Sequence, residues 1–337
     1  MVVFSSLLLL LLSSFTLFSA AAVPRPRPRQ DALNLKVLHE GGNLSPVLNE
    51  NFPDPAVLKG KDGKWYAFAT NSGGVTVQVA RADNPLGSWT LLDKDALTER
   101  TWFADSNTWA PDVQALGDGS YIMYFSGQLP DSHQHCIGVA RSRDITGPYE
   151  PDAEPWACPT ADGGAIDASG FLDEATGRRY VVYKVDGNSK GEYTPCGTGV
   201  DDPDLRTPLV LQRVDAGDGA TKIGGPKTLL DRDPALDGAL VEAPNLVRRG
   251  RDGAYVLWYS SHCFQDPLYD VKYAYASSVE GPYRRGPEGP VLKRGDFGLV
   301  APGGMQSARR ADGQDFLLFH ANCDKGRCLF AAEYGEA

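Results

Sequence analysis

The sequence predicts an all-β chain folded as a single five-bladed β-propeller. Three observations predict it. First, a glycine turn followed by a strand dense in aromatic residues recurs five times: Asp62-Gly63-Lys64-Trp65-Tyr66-Ala67-Phe68, Asp118-Gly119-Ser120-Tyr121-Ile122-Met123-Tyr124, Thr176-Gly177-Arg178-Arg179-Tyr180, Asp252-Gly253-Ala254-Tyr255-Val256-Leu257-Trp258, and Asp312-Gly313-Gln314-Asp315-Phe316. Second, roughly sixty residues separate most of these turns, room for the three or four strands of a blade. Third, convincing helical periodicity is scarce.

Residues 1–22 read as a signal peptide: Leu7 to Leu12 form an unbroken apolar run, and Ala20-Ala21-Ala22 offers the small residues needed for cleavage. Residues 23–32 form a linker in which proline alternates with arginine, favouring an extended tether. Residues 33–337 are the propeller. Asp-Gly between apolar runs predicts a two-residue type I′ hairpin, whose central residues both need positive φ. A third strand is expected at Val75 to Ala82, Cys136 to Ser142, Leu209 to Val214, Val271 to Ser277 and Cys328 to Tyr334. A fourth is expected beyond Gly87-Ser88-Trp89, Gly147-Pro148-Tyr149 and Gly281-Pro282-Tyr283. Too little chain follows Tyr334 for a fourth strand in the last blade, so Leu33 to Leu38 is expected to supply it and close the ring. The wide third interval holds a rim loop around Lys190 to Pro208.

Formal net charge is −10 with no long basic block, which argues against nucleic acid or anionic membrane as partners and suits a neutral substrate. After signal cleavage no membrane association is expected, and the protein is expected to be an extracellular monomer. The six cysteines are an even set in a chain read as secreted, so disulfides are favoured over metal ligation. Cys323 and Cys328 flank a turn-like stretch and suit a local bridge; the other four leave three pairings open. Asn43-Leu44-Ser45 is a glycosylation sequon followed by Pro46.

The strand before each glycine turn lines the channel of a propeller. Four of the five carry an acid at about the same place: Asp54 in Asn51-Phe52-Pro53-Asp54-Pro55, Asp112 in Trp109-Ala110-Pro111-Asp112, Asp167 in Ala165-Ile166-Asp167-Ala168, and Glu242 in Val241-Glu242-Ala243-Pro244. The fifth, Pro302-Gly303-Gly304-Met305-Gln306, has none. Carboxylates converging on one axis raise one another's pKa at a cost in stability. Glycoside hydrolysis uses such a set, one carboxylic acid protonating the leaving oxygen and one carboxylate activating water.

These phrases, in this order and at blade spacing, resemble glycoside hydrolase family 43, and the resemblance covers nearly the whole chain after the linker. It implies an inverting hydrolase in which Asp54 is the general base, Glu242 the general acid, and Asp167 the residue that tunes the acid's pKa and orients it. Asp112 is expected to hold substrate or neighbouring loops, and Trp109 and Phe52 to form apolar walls for a sugar. Many family members carry a histidine in the fifth inner strand, where this chain has Gly303-Gly304-Met305-Gln306. No metal or cofactor is therefore expected. His320 reads as a core histidine, and His133-Gln134-His135 as a rim loop.

Within the family the sequence favours an α-L-arabinofuranosidase acting on plant cell-wall arabinan or arabinoxylan. Asn51 to Pro55 and Val181 to Asp186 resemble an arabinofuranosidase-like branch, and the β-sandwich of many family xylosidases is not expected after the fifth blade. The alternatives are a β-xylosidase or an endo-arabinanase of the same family, and a non-catalytic sugar-binding propeller. A retaining fructosidase, suggested by Arg232-Asp233-Pro234, is set aside because that motif precedes the fourth inner strand rather than lying in the third.

Overall fold

Each glycine turn of the repeat joins two antiparallel strands, as its flanking apolar runs require. The computed structural model describes residues 1, 32–104, 107–190, 196 and 204–337. All but Met1 of the proposed signal peptide lies outside them, as do all but Ala32 of the linker and most of the long third-interval loop. Chain order runs β1 (Leu35–Leu38), then β2 (Ala56–Lys59), β3 (Trp65–Ala69), β4 (Gln78–Ala82) and β5 (Thr90–Asp95) as the first blade. The second blade is β6 (Thr108–Ala115), β7 (Tyr121–Gln128), β8 (His135–Ser142) and β9 (Glu150–Pro151). The third is β10 (Ala165–Asp173), β11 (Arg178–Val185), β12 (Leu209–Val214) and β13 (Lys227–Leu230). The fourth is β14 (Val241–Arg248), β15 (Tyr255–Ser261), β16 (Asp270–Ala276) and β17 (Arg284–Arg285). The fifth is β18 (Gly303–Arg309), β19 (Asp315–Cys323) and β20 (Gly326–Glu336), completed by β1.

The result is five four-stranded sheets forming a five-bladed β-propeller. β1 pairs antiparallel with β20, Leu35 opposite Glu336 and Leu38 opposite Glu333, so the segment expected to close the ring does so. The core sits between blades. Trp65 of the first blade packs edge-on against Phe316 of the fifth, at 5.2 Å between ring centres, and Trp258 of the fourth against Tyr334 of the fifth at 4.8 Å. The aromatic residues of the repeat fill these seams because a second strand is buried on both faces, as in Tyr255–Ser261.

The hairpins differ from the expected type I′. Only the glycines have positive φ, at 80° for Gly63, 86° for Gly119 and 87° for Gly313. Gly63 N–H bonds to Gly60 O while Gly60 N–H bonds to Lys64 O, the pattern of a type I turn followed by a left-handed glycine. The aspartate is there for its side chain. Asp62, Asp118, Asp252 and Asp312 each accept the amide two residues on, at 2.9–3.1 Å.

Cys136–Cys158, Cys196–Cys263 and Cys323–Cys328 are bonded, the last as the turn between its cysteines suggests.

Candidate active site

Four of the five inner strands carry the same irregularity. Pairing with the second strand slips between Trp109 and Asp112, Ile166 and Ser169, Glu242 and Asn245, and Gly303 and Gln306. Such a slip is a β-bulge. One residue in each is left-handed: Ala110 at φ 41°, Asp167 at 58°, Ala243 at 49° and Gly304 at 53°. Asp54, just ahead of β2, takes the matching place at φ 54°. This backbone costs a non-glycine residue about 1–2 kcal/mol, so other bonds must hold it.

A ring of hydrogen bonds does. Thr70 Oγ1 accepts the Ala110 amide at 2.9 Å, Ser126 Oγ that of Asp167 at 3.0 Å, and Ser260 Oγ that of Gly304 at 3.0 Å. His320 Nδ1 accepts the Asp54 amide at 3.0 Å. Each acceptor lies on or just beyond a second strand and reaches the inner strand of the next blade. The matching residue of the third blade is Lys184, opposite Ile166 as Ser126 is opposite Trp109. There the Ala243 amide bonds instead to Asp167 Oδ2 at 2.9 Å.

The bulges separate the four sequence acids. Asp54 and Asp167 occupy the left-handed position itself, Glu242 precedes it and Asp112 lies two residues beyond it, so the four are not equivalent as the sequence suggested. Asp54, Asp167 and Glu242 converge on one cavity of about 190 Å³, lined also by Trp109, Tyr269 and Arg327.

Asp112 belongs to a second belt below. Its Oδ2 accepts the Gly170 amide at 2.6 Å, and Asn245 Oδ1 accepts the Ser307 amide at 2.9 Å. Gln306 Oε1 accepts the Val57 amide, and Gln306 Nε2 crosses the channel to Asp112 Oδ1 at 2.6 Å. Asp112 is buried under the site, facing a chamber of about 40 Å³. Burial pushes its pKa up against these hydrogen bonds. It thus ties blades together and does not line the cavity shared by the other three acids.

Phe52 also departs from expectation. It is fully buried with Leu48, Val57, Phe316 and Leu329, leaving no face for a sugar. Trp109 does line the cavity, its ring backed by His135 at 3.5 Å. His135 is accordingly a buried packing residue, not part of a rim loop; burial lowers its pKa to about 4. Asp233 caps the short helix α1 (Pro234–Asp237) by accepting the Ala235 amide, which accounts for the Arg232-Asp233-Pro234 phrase.

The three cavity acids have different environments. Asp54 accepts a hydrogen bond from Thr70 Oγ1 at 2.7 Å and pairs with Arg327 Nη1 at 3.2 Å. Burial raises its pKa, but the Arg327 charge, His320 and the Thr70 bond together hold it below the usual carboxylate range. Asp167 goes the other way: burial, then the neighbouring Glu242 charge, lift it well above that range. Glu242 accepts from Tyr269 Oη at 2.9 Å through Oε1 and pairs with Lys184 Nζ at 3.1 Å through Oε2. Lys184 also pairs with Asp186 at 2.8 Å. Burial opposes the charge on Lys184, yet Asp186, Glu242 and Asp167 outweigh it and raise its pKa. One ionised carboxylate and a second pair that retains a proton can both accept and deliver protons.

His320, Lys184, Tyr269 and Arg327 were not recognised as site residues from sequence. A signal was present for two of them. Thr70, Ser126, Lys184, Ser260 and His320 each stand seven residues after their turn glycine, so aligning the second strands brings them into one ring.

A family model described as glycosyl hydrolases family 43 matches residues 44–332. The chain belongs to that family. Among its relatives, a probable arabinan endo-1,5-alpha-L-arabinosidase C of Aspergillus flavus is 34% identical over 94 residues, 26% of this chain and 28% of that protein. The extracellular endo-alpha-(1->5)-L-arabinanase 2 of Bacillus subtilis is 25% identical over 278 residues, 73% of this chain and 53% of that protein. The matches thus span about half or less of these relatives' length. A crystal structure of a thermostable family-43 glycoside hydrolase shares the fold at TM-score 0.73 and 24% identity, covering 86% of this chain and 92% of that one.

Proposed function

We propose that this chain is a secreted, inverting hydrolase of α-L-arabinofuranosyl bonds in plant cell-wall arabinan or arabinoxylan. The observation that carries the proposal is the convergence of Asp54, Asp167 and Glu242 on one cavity with opposed proton affinities. Asp54, held ionised, takes a proton from water as its oxygen attacks the anomeric carbon. The glycosidic bond breaks with its electron pair, and the leaving oxygen takes the Glu242 proton. Asp167 orients the acid, and repulsion between the two carboxyls keeps on the pair the proton that Glu242 delivers. Trp109 forms the apolar wall for a sugar ring.

The three disulfides suit an oxidising compartment and support reading residues 1–22 as a signal peptide, 23–32 as a linker and 33–337 as the catalytic domain. The names of the relatives favour a second reading, internal cleavage of arabinan. Product profiles on debranched arabinan and arabinoxylan separate the two: arabinose alone supports terminal cleavage, short oligosaccharides internal cleavage. Proton NMR of the first product should show the inverted anomer, and retention would overturn the assigned roles. Release of xylose from aryl β-D-xyloside but no arabinose from aryl α-L-arabinofuranoside would replace the substrate assignment. Sugar binding with no release from either would make the chain a lectin.

A further inference from the structure

Four of the five equivalent second-strand positions present a hydrogen-bond acceptor to the next blade's bulge: Thr70, Ser126, Ser260 and His320. The third blade presents Lys184, whose ammonium has no lone pair to offer. Left alone, the Ala243 amide would be without its partner, a loss a bulge cannot readily absorb. Asp167 Oδ2 takes that amide at 2.9 Å. The ammonium turns instead to Glu242 Oε2 at 3.1 Å and Asp186 Oδ1 at 2.8 Å. The candidate acid and its modulator therefore meet at the one break in the ring.

We propose that Lys184 is a positioning residue: by leaving the acceptor place open it commits Asp167 to the Ala243 amide, and by its ion pair it aims Glu242 into the cavity. The inference deepens the reading of Glu242 as general acid and rests on it. Lys184 is fully buried, so its charge acts with little screening. The charged and titratable groups around it are Asp186 on its own blade, Asp167 on β10, and Glu242 on β14, the last bonded also to Tyr269. Asp54 acts on Asp167 from across the cavity, itself paired with Arg327, and His135 stands on the Asp186 side.

The test is Lys184→Met, checked for folding by thermal unfolding, with pH–rate profiles on the arabinosyl substrate the parent cleaves. Removing the cation lets the Asp167–Glu242 pair hold its proton to higher pH. The alkaline limb should move up by about one unit or more, and kcat should fall about tenfold with KM little changed. Lys184→Arg, which keeps the charge, should leave the limb nearer its parental position. Carbon-13 NMR titration of the side-chain carboxyls should show the same upward shift and requires no turnover, so the inference is tested even if the parent cleaves no arabinoside. If Lys184→Met does not fold, Lys184→Gln replaces it in both measurements. A folded variant whose alkaline limb and carboxyl titrations match the parent would overturn the proposal.

Discussion

His320 Nδ1 accepts the Asp54 amide proton at 3.0 Å across the seam where the fifth blade meets the first. The accepting nitrogen must therefore be unprotonated, which fixes a neutral ring with its proton on Nε2. Burial, followed by the Arg327 charge, agrees with that state and depresses the His320 pKa to about 3. The bond holds Asp54 in its left-handed backbone. His320→Phe should cost about 1–3 kcal/mol in urea unfolding by orphaning that amide, and should lower kcat. His320→Asn, with a side-chain oxygen near the Nδ1 position, should recover part of both; equal losses in the two variants would deny the bond this role.

Asp167→Asn removes a negative charge beside Glu242. If the Asp167–Glu242 pair supplies the proton, losing one of the two mutually repelling carboxyls lets the proton go more readily, and activity should begin to fall at lower pH on the alkaline side. The shift is opposite in sign to that expected for Lys184→Met. A pH–rate profile in which both variants move the same limb in the same direction would show that the two residues do not act on the acid through charge.

Asp112→Ala leaves the Gly170 amide and the Gln306 amide group without their shared acceptor. The expected loss is about 1–3 kcal/mol of unfolding free energy for each group left buried and unpaired. Well below the unfolding temperature, kcat and KM should stay near the parental values. A selective rise in KM would return Asp112 to the substrate.

Acid sensitivity follows from the two buried histidines. His135 and His320 are depressed to about 4 and about 3, whereas an unfolded histidine titrates near about 6.5. Between those values the unfolded chain binds more protons than the folded one. Their stabilisation is complete above about pH 6.5 and is lost as pH falls toward 4 and then 3. Thermal unfolding followed over this range should show the decline, and His135→Phe, which retains a ring against Trp109, should flatten its upper part.

Local chemistry made much of the fold legible. The glycine turns and aromatic second strands mark all five blades, and the short chain after Tyr334 points to Leu33 to Leu38 for the last one, where β1 (Leu35–Leu38) lies. Turn type is not legible from Asp-Gly alone, because the aspartate serves these turns through its carboxylate rather than through a left-handed backbone. At the site, Asp54, Asp167, Glu242 and Trp109 were picked out by their place on inner strands. Asp112 was grouped with them because a bulge, invisible as a residue pattern, shifts which side chains point up the channel. Phe52 belongs to a seam between blades, and Tyr269 and Arg327 arrive from loops and a hairpin far away in sequence. Their convergence is a property of the closed ring.

The pairing of β1 with β20 joins residue 35 to residue 336. A nascent chain emerging from the ribosome cannot make this contact until synthesis has passed residue 336, so the earlier blades must wait with an unsealed edge. Contacts so distant in sequence form slowly, and throughout that wait the second strand of any finished blade can find the wrong neighbour. For a chain of this topology, the interval between synthesis and ring closure is when aggregation competes most strongly with folding.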